Sequence, residues 1–334
     1  MNVEPFSLPL SNPLTTAQGS IDSRDGFLVR LELDGTVGVG EATPLAGWTE
    51  SLEACETALK RVESPEAAID DLELDDAPAA RHGVSLALLD ARSRAAGEPL
   101  YAYLGTDSRV DSVPVNATIG DGSPTETAAA ADAAVEAGYP ALKLKVGARS
   151  VAADASRLAA VRERCPDVEL RADANGGWNR REAERAFAAF ADDDVSFVEQ
   201  PRPATDLEGC RSLRGGAVGV AIDEGVVEHG IEAVLDADAA DVVVIKPMAI
   251  GGIDRALEAA LRARSAGVEP ILTTTIDGSV ARAGAVHAVA SLPSLRPCGL
   301  ATGDRLRSDL SPDLAAVSGG SLPVPQGKGN IPPL

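Results

Sequence analysis

The chain has 334 residues, 45% of them hydrophobic, enough to bury one large core or two. Its formal net charge of −21 repels polyanions and anionic bilayers, which excludes nucleic acid and membrane surfaces as partners. No run reaches the ~18 apolar residues of a membrane span, and the start, MNVEPFSLPL, has no basic segment of a secretory leader, so the expected location is cytoplasmic.

Residues 1–105 read as an α+β unit. FSLPL, GFLVRLEL (26–33) and TVGVGEA (36–42) are strand-like, with Asp34-Gly35 as a hairpin turn between the last two. SLEACETALKRV (51–62) and GVSLALLDARSRAAG (83–97) are helix-like. From residue 106 the pattern changes. Eight short β-branched runs (113–119, 141–146, 168–173, 195–199, 218–223, 242–246, 269–274 and 297–300) alternate with Ala-rich helical stretches. Near-continuous apolar strands fit a parallel sheet covered on both faces. SPTE (123–126) is a capping box, and Gly138 stands where the following helix should stop. Alternation repeated eight times predicts an α/β fold, a (β/α)8-type barrel over 106–309, preceded by the 1–105 capping domain. A doubly wound sheet is the alternative, but the G-x-G-x-x-G of that fold is missing after the first run. The Pro/Gly-rich tail, 310–334, is expected to pack back on the first domain. Four scattered cysteines, with no C-x-x-C, read as reduced buried thiols.

In such barrels the chemistry sits where the strands end. The ends carry Lys143 and Lys145, then Asp173, Glu199 and Asp223, then Lys246. One acid at a strand end is ordinary helix capping. Three on consecutive strands, flanked by lysines, converge on one rim and repel each other unless a cation neutralises them. Oxygen-only donors suit Mg2+, and the lack of His or Cys at these ends argues against zinc. Lysine is scarce, five against 25 arginines. It is also the cation that can release a proton when its surroundings press it to, whereas arginine cannot. A dication beside proton-transfer lysines suits removal of a proton next to a carboxylate, with the enediolate charge stabilised by the metal.

As a set, K-x-K at Lys143 and Lys145, RADAN around Asp173, VEQP around Glu199, IDE at Asp223 and IKP at Lys246 resemble the enolase superfamily, most closely its muconate-lactonizing subgroup. GVGEATPL (38–45) and LALLDARSRAAGEPLYAYLG (86–105) are similar to that family's capping domain. The resemblance implies that Asp173, Glu199 and Asp223 ligate Mg2+ and that Lys145 and Lys246 are acid/base groups on opposite sides of a small-molecule carboxylate. It makes Lys143 a neighbour that eases deprotonation of Lys145, and Asn175 and Glu224 orienting residues behind the ligands. It also implies that the loops 13–21 and 44–51 close over the barrel mouth; Trp48 is either an aromatic lid residue or packs the interface between the two domains. TTTIDGSVARAGAVHAVA (273–290) and CGLATGDRL (298–306) are similar to o-succinylbenzoate synthases of menaquinone biosynthesis. These dehydrate a succinyl-hydroxycyclohexadiene carboxylate with one acid/base lysine. Dipeptide epimerases of the subgroup carry Asp-x-Asp at the last strand to hold an ammonium group. Leu300-Ala301-Thr302 stands there in this chain, with Asp277 and Asp304 nearby. N-acylamino acid racemase and dipeptide epimerase are the alternative activities, and the oligomeric state is left open.

An acidic, lysine-poor surface is that of a protein adapted to high salt, where self-repulsion is screened. Thermal melts from low to multimolar KCl are expected to show a rising midpoint; a flat midpoint would remove the idea.

Overall fold

The computed structural model describes residues 1–16, 19–70, 74–294, 296–311 and 316–333. Residues 17–18 of the 13–21 loop and 312–315 of the tail lie outside the described residues. The first unit is an antiparallel three-stranded sheet, Asn2–Thr16, Gly19–Leu33 and Thr36–Ala42. Asp34 and Gly35 both take positive φ, 49° and 80°, as a two-residue hairpin turn with the strands' own twist requires. The first strand is much longer than FSLPL alone, and its distal half pairs as Leu14↔Ile21, Thr15↔Ser20 and Thr16↔Gly19. Much of the 13–21 loop is therefore the end of a hairpin.

A helix, Pro78–Ala96, lies directly on this sheet. It begins five residues before the predicted start, with proline at its opening, where a missing N–H costs nothing. The contact is backbone to backbone. A Cβ at Gly40 would stand 1.9 Å from the Gly83 carbonyl oxygen, and one at Gly38 2.0 Å from that of Ala87. Only glycine admits so close an approach. The apolar core of this unit includes Met248 and Ala281 of the barrel, so the two units share packing.

The barrel strands are Asn116–Ile119, Ala141–Lys145, Glu169–Asp173, Val195–Glu199, Gly219–Ile222, Val242–Ile245 and Glu269–Leu272. All pair in parallel, each with its neighbour in sequence. The eighth predicted strand, 297–300, is not a strand. Cys298 and Gly299 make single parallel bridges to Val115 and Thr273, and these close the ring between the first and seventh strands. Pro297, which has no N–H to donate, limits how far this segment can pair. The capping box forms, with the Ser123 and Glu126 side chains bonding reciprocally, and Gly138 takes φ 92° past that helix. The tail contacts both units. Ser321–Pro323 pairs with Ser112–Pro114, while Asn330 N–H donates to Asp90 at 2.6 Å and Gly329 N–H to the Glu98 carbonyl at 2.8 Å.

Register decides what reaches the rim. Lys145 lies beside Asp173, and Asp173 beside Glu199, on three adjacent strands. Asp223 and Lys246 directly follow the fifth and sixth strands. Side chains two residues back on a strand share the face, one layer deeper. That layer holds Arg171, which is buried, donates to Glu169 at 2.9 Å and the Pro297 carbonyl at 2.8 Å, and lies 5.1 Å from the Phe197 ring centroid. The barrel floor under the rim is packed, as in other closed eight-position barrels.

Candidate active site

The rim opens into a cavity of about 860 Å3 whose wall includes all six predicted charges, Lys143, Lys145, Asp173, Glu199, Asp223 and Lys246, together with Asn175 and Glu224. The three carboxylates are nearly fully buried, at 1–3% exposure. Buried charges need compensation, and lysines supply it. The Lys143 ammonium donates to both Glu199 oxygens at 2.9 and 3.0 Å and stands 3.3 Å from Asp173. The Lys145 ammonium donates to Asp173 at 2.6 Å and to the Asn175 amide oxygen at 2.8 Å. The Lys246 ammonium contacts both oxygens of Asp223. Among the described residues no three acid, His or Cys side chains close on a single ion position. The acids are divided between ammonium groups instead.

These contacts set the protonation of the cluster. Burial works against the Lys143 ammonium, but Glu199, Asp173 and Asp223 outweigh it and hold Lys143 above the usual lysine range. Burial also opposes ionisation of Asp173, yet Lys143 and Lys145 hold that carboxyl below the usual range. Glu199 goes the other way: burial first, then the neighbouring Asp173 charge, push it up to about 7. Asp223 is raised by burial, against the pull of Lys246.

Lys145 and Lys246 belong to the second and sixth positions of a ring of eight, so they face each other across the cavity. Lys145 is the more exposed, with 41% of its side chain accessible against 10% for Lys246. The Lys145 carbonyl is pinned at 2.7 Å by buried Arg157, from the helix Val151–Arg164. Asn175, at φ 43°, ties the acids together: its N–H donates to Asp173 at 3.1 Å and its amide to Glu224 at 3.0 Å. The second oxygen of Glu224 is buried without a partner.

Trp48, from the first unit, lies over the Lys246 ammonium, 3.6 Å from ring centroid to nitrogen. This settles which of its two possible tasks it serves, the cavity wall rather than plain interface packing. Trp178 is instead buried edge-on against Phe190. Gly251 and Gly252 form a turn whose Gly251 carbonyl accepts from Arg81. His82 and His287 are buried on backbone carbonyls, of Glu41 and Asn330, away from the cavity.

Some contributors were not picked out from sequence. Gln200 is fully buried at φ 40°, and its side-chain oxygen accepts from the N–H groups of Asp223 and Gly225 at 3.0 and 3.1 Å, fixing the Asp223 turn. A polar residue between a strand end and a proline, in VEQP, was the available signal. Thr273, Thr274 and Thr275 line the same cavity, and a run of three threonines closing an apolar strand was readable.

The family model "Enolase C-terminal domain-like" matches residues 126–330, and "MenC, N-terminal domain" matches residues 2–91. The chain is 30% identical to the L-Ala-D/L-Glu epimerase of Bacillus subtilis over 96% of its own length and 92% of the relative's. The solved substrate-liganded structure of that epimerase superposes with a TM-score of 0.88, covering 98% of this chain and 96% of the other. A dipeptide epimerase of Enterococcus faecalis, solved with Mg and the dipeptide L-Leu-L-Tyr, gives a TM-score of 0.87 at 28% identity, over 98% and 97% of the two chains. The o-succinylbenzoate synthase of Mycobacterium tuberculosis is more alike per residue, 38%, but over 63% of this chain and 64% of its own.

Lys143 compensates two buried acids at once. Lys143→Met is expected to lower the unfolding free energy by about 3 kcal/mol in denaturant titrations. A carboxyl held above its unfolded value loses stability as pH rises from about 4.5 to about 7, the window for Glu199. The deficit should therefore be larger at pH 8 than at pH 5; equal stability of variant and parent at pH 8 would contradict it.

Proposed function

The chain belongs to the enolase superfamily, and from that premise we propose that it removes the proton next to the carboxylate of a small molecule, with Mg2+ held by Asp173, Glu199 and Asp223. The observation that carries this reading is the placement of Lys145 and Lys246 across one cavity, with the three acids on the consecutive positions between them. The donor set fits the ion in its chemistry, and its acids, each paired with a lysine, would have to turn from the ammonium groups to meet on one ion. The set is all oxygen, buried, on one rim, and backed by Asn175 and by the unpartnered Glu224 oxygen. A dication bound there supplies Lewis-acid stabilisation of negative charge on the substrate carboxylate.

The rest falls to the chain's own groups. Lys145 takes the α-proton and Lys246 presents its ammonium from the other side. Lys143 stays charged and sets the field around both. Trp48 and the first unit's loop cover the cavity and keep water from the reacting carbon.

The fate of the carbanion separates two readings. In the first, Lys145 returns the proton to a departing hydroxyl on the same face. That is the syn-dehydration of 2-succinyl-6-hydroxy-2,4-cyclohexadiene-1-carboxylate to 2-succinylbenzoate, in menaquinone biosynthesis. Two things support it: the match of the MenC N-terminal model, and the end of the ring at Leu300-Ala301-Thr302, which lacks the paired acids of an Asp-x-Asp, although Asp304, two residues on, lines the cavity. In the second, the opposite lysine reprotonates the carbon and inverts it, making the chain an N-acylamino acid racemase or dipeptide epimerase. The similarity that spans the whole chain supports this second reading better, because the relatives matched over nearly all of their length include an L-Ala-D/L-Glu epimerase, dipeptide epimerases and an N-succinyl Arg/Lys racemase.

Both readings are tested with Mg2+ present and with chelator. The synthase reading expects aromatic product from the cyclohexadiene carboxylate, lost by about 10²–10⁴-fold in Lys145→Ala. The racemase reading expects deuterium exchange at the α-carbon of N-acylamino acids or dipeptides in D2O. There Lys145→Ala should silence exchange from one enantiomer and Lys246→Ala from the other. A folded protein showing neither reaction would overturn the assignment.

A further inference from the structure

Arg24 lies outside the cavity, on the strand Gly19–Leu33, and is 2% exposed. Burial weighs on its charge, and although Asp277 and Glu41 face it, it makes no ion pair within 4 Å among the described residues. Its donors go to three backbone carbonyls: Thr43 at 2.9 Å, Pro44 at 3.0 Å and Ile276 at 3.1 Å. Thr43 and Pro44 lead into the segment Leu45–Trp48, which lines the cavity and lays Trp48 over Lys246. Ile276 belongs to the turn after the seventh barrel strand and lines the cavity as well.

Ile276 has φ 64°. That left-handed conformation is costly for a β-branched residue, whose Cβ crowds its own backbone, and it persists only where surrounding contacts impose it. The neighbouring contacts do so. Asp277 accepts from Thr275 Oγ1 at 2.5 Å, and its carbonyl accepts from Arg282 at 2.8 Å. The Arg24 bond then fixes the carbonyl of Ile276 itself. One planar guanidinium thus holds two segments from different units, each a wall of the same cavity.

We propose that Arg24 is a positioning residue: it ties the Trp48 segment to the strained Ile276 turn so that two cavity walls act as one, and substrate binding depends on it more than proton transfer does. The inference rests on reading this cavity as the substrate site, which holds for either reaction above.

Arg24→Met, Arg24→Lys and the double variant Arg24→Met with Ile276→Gly are compared with the parent. The readings are acrylamide quenching of tryptophan fluorescence, thermal midpoint, and KM and kcat. Trp178 is buried, so a change in quenching reports on Trp48. Arg24→Met is expected to raise the quenching constant about twofold and KM about tenfold, with kcat within about threefold. Arg24→Lys, a point charge without the planar fork, should fall between parent and Arg24→Met. Ile276→Gly relieves the turn, so the double variant should recover part of the KM while Trp48 stays loose. Unchanged quenching and KM in both Arg24 variants would overturn the proposal. So would a lowered thermal midpoint with quenching and KM unchanged, because Arg24 would then support only the fold. If Arg24→Met does not fold, Arg24→Lys decides by the same readings. Quenching needs no substrate, so lack of turnover counts against the assigned reaction and leaves this test standing.

Discussion

Three carboxylates buried on one rim would repel each other and resist burial, and the site exists because cations are built in beside them. Lys143 bridges Glu199 and Asp173, Lys145 meets Asp173, and Lys246 meets Asp223. The compensation is uneven, since Asp173 is held low while Glu199 is pushed up to about 7. Such a cluster is poised to exchange partners. In the proposed reaction a dication would take over the acids and free these lysines to act on a substrate.

The architecture divides the labour. The parallel strands fix the charges by register, and the packed floor around Arg171 keeps them from sinking into the barrel. Among the described residues the first unit supplies none of the charges at the rim. It supplies the aromatic ring over Lys246 and, through Arg24, a buried link between its own loop and the barrel. Because the unit's core includes Met248 and Ala281, its position over the mouth is set by apolar packing as well.

Much of this was legible in the sequence because strand ends in a barrel share one rim. Lys143 and Lys145, an i, i+2 pair inside an apolar run, had to share a face, and acids after three consecutive apolar runs had to share a mouth. The eighth strand was misread. PCGL is apolar enough, but it contributes only the two bridges at Cys298 and Gly299. The task of Trp48 could not be chosen, because lid and interface demand the same aromatic residue. Gln200 and Arg24 were missed for a common reason. Both act on backbone groups far away in sequence or at a sharp turn, and such partners appear only once the chain is folded. The substrate lies in the same category, since Leu300-Ala301-Thr302 lacks an Asp-x-Asp while Asp304 lines the cavity, and neither names what is held there.

The central claim is that Asp173, Glu199 and Asp223 form one dication site. Calorimetric titration of the protein with Mg2+, at high salt, tests it directly when set beside Glu199→Gln. The account predicts one site in the parent that is lost in the variant, with the fold retained by circular dichroism. Equal Mg2+ binding by parent and variant would contradict it.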